Sequence, residues 1–270
     1  MTNISNNLND LRRYGVELEL VSDLNMDQMI NEISDRTGVR VVRAAYSDKT
    51  DRWRMKPDCS VRGRNGMELV TPILHGEADM ATLKSVVAVL EEFGTVNRSC
   101  GMHVHVDITG AEATPLKKLM KFFAKYEKAI GNLISESRRG SNNHYCSDHF
   151  YGSENLNSEF EALNGKTVSQ LLSRSKFAGR NKWNFMNYSR HGSVENRAHQ
   201  GTLNQHKVEH WVRLTQSIVE VAFKCRGQVS HVGDTPSTYG TDHMLNQLKT
   251  KGAISSQTKS FYKARLQELN

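Results

Sequence analysis

Ser99–Asp107, SCGMHVHVD, alternates without a break. Met102, Val104, Val106 and the following Ile108 fall on one side; His103, His105 and Asp107 fall on the other. A strand returns to the same face every second residue, so this segment predicts a β-strand with one apolar face and one face of metal-ligand side chains. Threonine, lysine or glutamate ordinarily cover the polar face of a half-exposed strand. Two imidazoles and a carboxylate in series ask for partners elsewhere in the chain.

Three other segments offer them. RYGVELELVS sets Val16, Leu18 and Leu20 against Glu17 and Glu19 and reads as a first strand. Glu68 stands in GMELVTPIL, and Glu195, Arg197 and His199 share one face of SVENRAH. Two like charges 4 Å apart repel by ~4 kcal/mol at an effective dielectric of about 20, so carboxylates gathered in one cavity require cations or protonation. A carboxylate-rich set with a few imidazoles suits magnesium or manganese better than zinc, which favours thiolate and imidazole. Magnesium in turn most often accompanies substrate phosphates.

Around these strands the pattern turns helical. MDQMINEISDRTG predicts a helix stopped at Gly38, and Met80, Leu83, Val87 and Leu90 mark a second that stops at Gly94. Thr114-Pro115 predicts an N-cap for a third. Further helices are expected from about 204 to 226 and in two short stretches near the end of the sequence. VRVVRAAYSD, RWRMKPDCSVRG and GMELVTPIL read as strands, the last two joined across GRNG, whose Asn65-Gly66 suits a tight turn. Residues 1–12 read as a flexible tail and 137–164 as a long surface loop. The fold class is therefore α+β, with a mainly antiparallel sheet flanked by helices.

Composition narrows the function classes. A chain of 270 residues builds a substantial core, and no run of about 18 apolar residues exists to span a membrane. MTNISNNLNDLRR has no apolar signal region, and four cysteines without C-x-x-C spacing fit free thiols, so a cytoplasmic location is expected. Cys100 reads as a small buried residue rather than a nucleophile, and Cys146, His149 and His144 are too irregularly spaced for a zinc site. The formal charge of +7 favours anionic partners. Nucleic acid is the less favoured of these, because the basic residues are spread along the chain. No GxxxxGK[ST] phosphate loop is present.

Taken in order, the motifs resemble those of the amidoligases, a family of the carboxylate–amine ligase group with a glutamine synthetase-like fold. YGVELEL resembles their G-x-E-x-E opening, KPDCSVRG…GMELVTPIL their K-x-D-x-S…G-x-E segment, and CGMHVHVD their C-G-x-H-V-H strand. KWNFMNY…VENRAHQGT resembles a later block in which aromatic-x-x-[LM]-N is followed by E-x-R and G-T. Cys59 and Asn196 depart from the pattern, where glycine and an apolar residue are usual.

The resemblance implies a glutamine synthetase-like catalytic core, with residues 13–270 as a single catalytic domain. It implies ATP and Mg²⁺ or Mn²⁺ as cofactors, and amide-bond formation through an acyl phosphate. Glu17, Glu19 and Glu68 would hold metal, Glu195 and His103 would complete a second site, and His103 and His105 would face nucleotide phosphates. Arg197 would meet the transferred phosphoryl group, so Arg197, Glu195 and His103 are the catalytic candidates. Lys56 and Lys182 are further phosphate or carboxylate candidates, against a plain reading as surface lysines. The partners implied are a small-molecule or peptide carboxylate and an amine; the oligomeric state is not implied. A metal-dependent hydrolase or nuclease built on the same side chains, working without ATP, is the alternative.

Overall fold

The computed structural model of the chain describes residues 4–45, 51–140, 143–149, 161–173, 181–225 and 240–269. Among these lie eight strands: β1 (Tyr14–Ser22), β2 (Val41–Arg43), β3 (Trp53–Pro57), β4 (Met67–Val70), β5 (Gly94–Thr95), β6 (Gly101–Asp107), β7 (Trp183–Asn184) and β8 (Ser193–Gln200). Eight α-helices accompany them: α1 (Met26–Thr37), α2 (Gly76–Phe93), α3 (Ala113–Gly131), α4 (Val168–Leu172), α5 (Tyr188–His191), α6 (Gln205–Lys224), α7 (Thr241–Thr250) and α8 (Ser256–Leu269).

Seven strands form one open sheet in the order β2-β3-β4-β1-β6-β8-β7, and the short β5 pairs with the end of β1. All pairings are antiparallel except β2 with β3. The architecture is thus the α+β class, mixed but mostly antiparallel, that strict alternation in β1 and β6 predicts. Register makes the apolar face continuous: Tyr14 opposes Val106, Val16 opposes Val104 and Leu18 opposes Met102, all buried. Helix α6 lies against β6 beneath this face, and α2 and α3 both pack on α6. Asn204 starts α6 by accepting the His206 and Lys207 amides on its Oδ1, both at 3.1 Å. Among the described residues no helix is long and apolar enough to cross a membrane.

Several boundaries differ from expectation for identifiable reasons. Residues 4–12 are not a frayed tail: Ile4, Leu8 and Leu11 are buried in the core, and Leu8–Asp10 form a 3-10 turn. The polar asparagines between them mask that spacing. Helix α3 begins at Ala113 with Glu112 before it, so Thr114 is not its cap; Pro115 sits in the first turn, where no amide is needed. Strands β2 and β3 are shorter than VRVVRAAYSD and RWRMKPDCSVRG, the segments that predict them, and residues 46–48 of the first lie outside the described residues.

The decisive departure is a β-bulge. Val104 pairs with Asn196 but Met102 pairs with His199, so His103 faces two residues, Arg197 and Ala198. Glu195 and Arg197 therefore keep the open face, and His199 turns to the helix layer, its ring 4.8 Å from that of Trp211. Glu195, Arg197 and His199 do not share a face, because alternation fails at the extra residue. Asn196 explains its own departure from the family pattern: its Oδ1 accepts the Ala198 N–H at 3.1 Å inside the bulge, and its Nδ2 donates to Thr215 Oγ1 on α6 at 3.0 Å.

Two imidazoles in the helix layer make stability depend on pH. Burial pushes the pKa of His199 down to about 3 and that of His210, stacked on Phe261 of α8, down to about 4. In the unfolded chain both titrate near ~6.5, so the unfolded state takes up protons first as pH falls. Stability is full above that value and is lost on acidification, by about 1.4 kcal/mol per pH unit for each group until its folded pKa is reached. The thermal midpoint should fall steadily below about pH 6.5, and the fall should be shallower in His210→Gln. Equal slopes for the two proteins would contradict this origin.

Candidate active site

Cross-strand register assembles the site on the face opposite the helices. Glu17 of β1 opposes His103 of β6, and Glu19 of β1 opposes Glu68 of β4, which opposes Lys56 of β3. Farther along β6, His105 opposes Glu195 of β8, which opposes Asn184 of β7. Side chains far apart in sequence thus become neighbours because directly opposed residues on one face lie about 5 Å apart.

Two groups of candidate ligands result, Glu17–His103–Glu195 and Glu19–Glu68–His103, each with one donor atom per residue within 4.8 Å of the others. His103 belongs to both. Its Nδ1 lies 3.0 Å from Glu17 Oε2 and 3.6 Å from Glu195 Oε1, while its Nε2 is 3.7 Å from Glu19 Oε1. His105 stands beside the first group, its Nε2 3.4 Å from Glu17 Oε1. Glu19 Oε2 accepts the Gly101 N–H at 2.7 Å.

The charges are sorted by environment. Burial opposes ionisation of Glu17, but hydrogen bonds from His103 and His105 outweigh it and hold this carboxyl well below the usual range. Glu195 is likewise buried, and the charges of His105 and Arg197 hold its pKa down. His105 resists protonation through burial, yet its hydrogen bond to Glu17 wins and raises its pKa. Glu68 goes the other way: burial and the nearby charge of Glu17 push its acid well up, although Lys56 Nζ sits 2.6 Å from its Oε2. A carboxyl that burial and a neighbouring carboxylate hold above its usual range is one that a cation would relieve. The donor set, four carboxylates and an imidazole without thiolate, fits magnesium or manganese.

Of the sequence candidates, Glu17, Glu19, Glu68, His103, His105, Glu195, Arg197 and Lys56 converge here. Arg197 is ion-paired with Glu195, and its Nε donates to the Tyr145 carbonyl at 3.2 Å. Lys182 does not join them. It is buried and paired with Asp148, so it is neither a surface lysine nor in ion-pair contact with either ligand group.

The amides of Asn184 and Asn187 escaped sequence reading. Both donate to Glu195 Oε2, at 2.9 and 2.5 Å, and so aim its other oxygen at His103 and Arg197. Asn187 closes the W-x-x-M-N stretch that carried the resemblance, which was the available signal.

Within the 137–164 loop, residues 141–142 and 150–160 lie outside the described residues. In the described part, Ser137, His144 and Tyr145 are exposed, while Arg138, Cys146 and His149 are buried. His149 Nε2 accepts the Trp183 N–H at 2.9 Å, and among the described residues no ligand group includes Cys146, His144 or His149. Cys100 is buried, and burial pushes its thiol up, as suits a structural residue.

A cleft of about 820 Å³ takes in Glu17 and His105, with Arg13, Arg54, Lys56 and Arg190 outnumbering Asp107 and Glu17 among its charged walls. Its cationic lining suits an anionic occupant.

A family model described as "Putative amidoligase enzyme" matches residues 10–219. No curated protein matches the chain. The matched span begins just before β1 and ends inside α6, so it takes in both ligand groups, the bulge that aims Arg197 and the helix that backs them. With most of its length and its whole buried His/Glu cluster inside that match, the chain belongs to the amidoligase family.

Proposed function

We propose that the protein is an ATP-dependent carboxylate–amine ligase with a glutamine synthetase-like catalytic core, joining its substrates through an acyl phosphate. The observation that carries this reading is the pair of buried ligand groups sharing His103, with the guanidinium of Arg197 fixed at their edge. A carboxylate is a poor electrophile. Phosphoryl transfer from ATP to its oxygen releases ADP, and amine attack on the acyl carbon then expels phosphate and leaves the amide. Enzymes achieve such transfers mostly by positioning and by stabilising charge.

Glu17, Glu195 and His103 would hold one Mg²⁺ or Mn²⁺, and Glu19, Glu68 and His103 another. When bound, these ions supply Lewis acidity and offset the charge of the polyphosphate. The chain's own groups do the rest. Arg197, held on both sides by Glu195 and the Tyr145 carbonyl, presents a fixed fork to the phosphoryl oxygens. His105, its pKa raised, faces the same phosphates, and the Asn184 and Asn187 amides keep Glu195 from rotating away. Lys56 holds Glu68 and helps line the cationic cleft, where a small-molecule or peptide carboxylate would enter.

Pooled carboxylates and pooled amines supply the test. With MgATP and the full chain, ADP should appear only when both pools are present, in step with phosphate. ADP release independent of either pool, or phosphoester cleavage that needs no ATP, would overturn the ligase.

A further inference from the structure

We infer that Arg138 is a second phosphate-binding residue of this site, holding an oxyanion at the Gly101 edge of the Glu19–Glu68–His103 group. The inference rests on the ligase reading and adds a residue and a location to it. Arg138 is 3% exposed, yet among the described residues its guanidinium makes a single hydrogen bond, from Nη2 to the Arg197 carbonyl at 2.9 Å. Among the described residues its Nε is buried without a hydrogen-bond partner and no carboxylate pairs with it. Guanidinium carries five N–H donors and a permanent charge, so burying it nearly unpartnered is costly unless an anion arrives.

Its position says where that anion goes. A Cβ built on Gly101 would lie 2.9 Å from Arg138 Nη2 and 3.0 Å from His103 Nε2. The guanidinium and the shared imidazole therefore flank one side-chain-free patch of β6, whose N–H is already given to Glu19. The arginine is fixed there: it ends the 3-10 turn Glu136–Arg138, which follows Ser135, whose amide donates to Gln200 Oε1 at 3.0 Å. The carbonyl it grips belongs to the bulge residue Arg197, so the two guanidinium groups are mechanically tied. A polyphosphate whose metal-binding oxygens lie over His103 would meet Arg197 on one side and Arg138 on the other.

The test compares wild type, Arg138→Met and Arg138→Lys by thermal unfolding of the full chain with Mn²⁺ alone, with Mn²⁺ and inorganic pyrophosphate, and with MgATP. Response to Mn²⁺ alone should be unchanged in all three. Apparent affinity for pyrophosphate and ATP should weaken by about 10- to 100-fold in Arg138→Met, with a smaller loss in Arg138→Lys, which keeps charge but not the fork. If Arg138 serves only to hold the Arg197 carbonyl, the methionine variant loses stability without ligand and keeps its anion affinity, which overturns the proposal. Should that variant not fold, the lysine variant decides: unaltered anion affinity overturns, and a several-fold loss supports. A wild type that responds to pyrophosphate but not ATP, with the response lost in the variants, upholds the anion site and overturns the ligase. No response of wild type to either anion overturns both.

Discussion

His103→Ala is expected to weaken Mn²⁺ binding by at least ~100-fold and to take ligase turnover to background. His103 is the residue common to both ligand groups, with Nδ1 turned toward Glu17 and Glu195 and Nε2 toward Glu19. Its removal withdraws a donor from each group at once and leaves those carboxylates facing one another without the ring between them. Residues that merely support a ligand typically cost 10- to 100-fold in metal affinity when lost, so a shared ligand should cost about that or more. His105→Ala is the control. It touches the same Glu17 but belongs to neither group, and its loss should cost only about tenfold. Calorimetric Mn²⁺ titrations of the two variants should therefore separate; equal losses would remove His103 from its central position.

Lys56→Met is expected to destabilise the metal-free protein by about 3 kcal/mol near neutral pH, as breaking one partner of a buried ion pair does. Lys56 is the cation held 2.6 Å from Glu68, itself crowded by Glu17 and Glu19. The size of the loss should depend on pH in a definite sense. The Glu68 carboxyl is raised in the folded protein by burial and by Glu17. Such an acid contributes most to stability below its unfolded pKa, and that contribution is lost as pH rises through the folded one. Without Lys56 the folded value rises further, so the variant should approach wild type in mild acid and diverge from it in alkali. Denaturant unfolding at two pH values checks this. A deficit that shrinks toward alkaline pH would contradict the arrangement of charge.

How far the site was legible in the sequence follows from which rule each residue obeys. Glu17, Glu19, His103 and His105 sit on unbroken period-two strands, and period two is enough to place them on one open face. Glu68 and Glu195 also belong to strands, but their neighbours depend on register, which pairs Glu19 with Glu68 and His105 with Glu195. Strand order is set by tertiary packing and cannot be read from local spacing. His199 was misplaced because a bulge inserts one residue, and a single insertion flips every later side chain. The buried ends of Lys182 and Arg138 were invisible for another reason: a charged residue in a polar segment gives no periodic signal, and here Asp148 and the Arg197 carbonyl bury them. Ile4, Leu8 and Leu11 were hidden in the same way among asparagines.

The most direct test of the account is the thermal-unfolding midpoint with and without saturating MgATP, in wild type and in Glu17→Gln. Ligand at 100 times its dissociation constant adds ~2.7 kcal/mol, which for a chain of this size moves the midpoint by roughly 5 °C. Glu17 belongs to the first ligand group and its carboxyl is held ionised by His103 and His105, so glutamine removes the charge that a divalent cation needs. The account predicts the full shift in wild type and its loss in Glu17→Gln. A clear shift with Mn²⁺ alone and none with ATP would contradict it and assign the same side chains to a metal-dependent hydrolase.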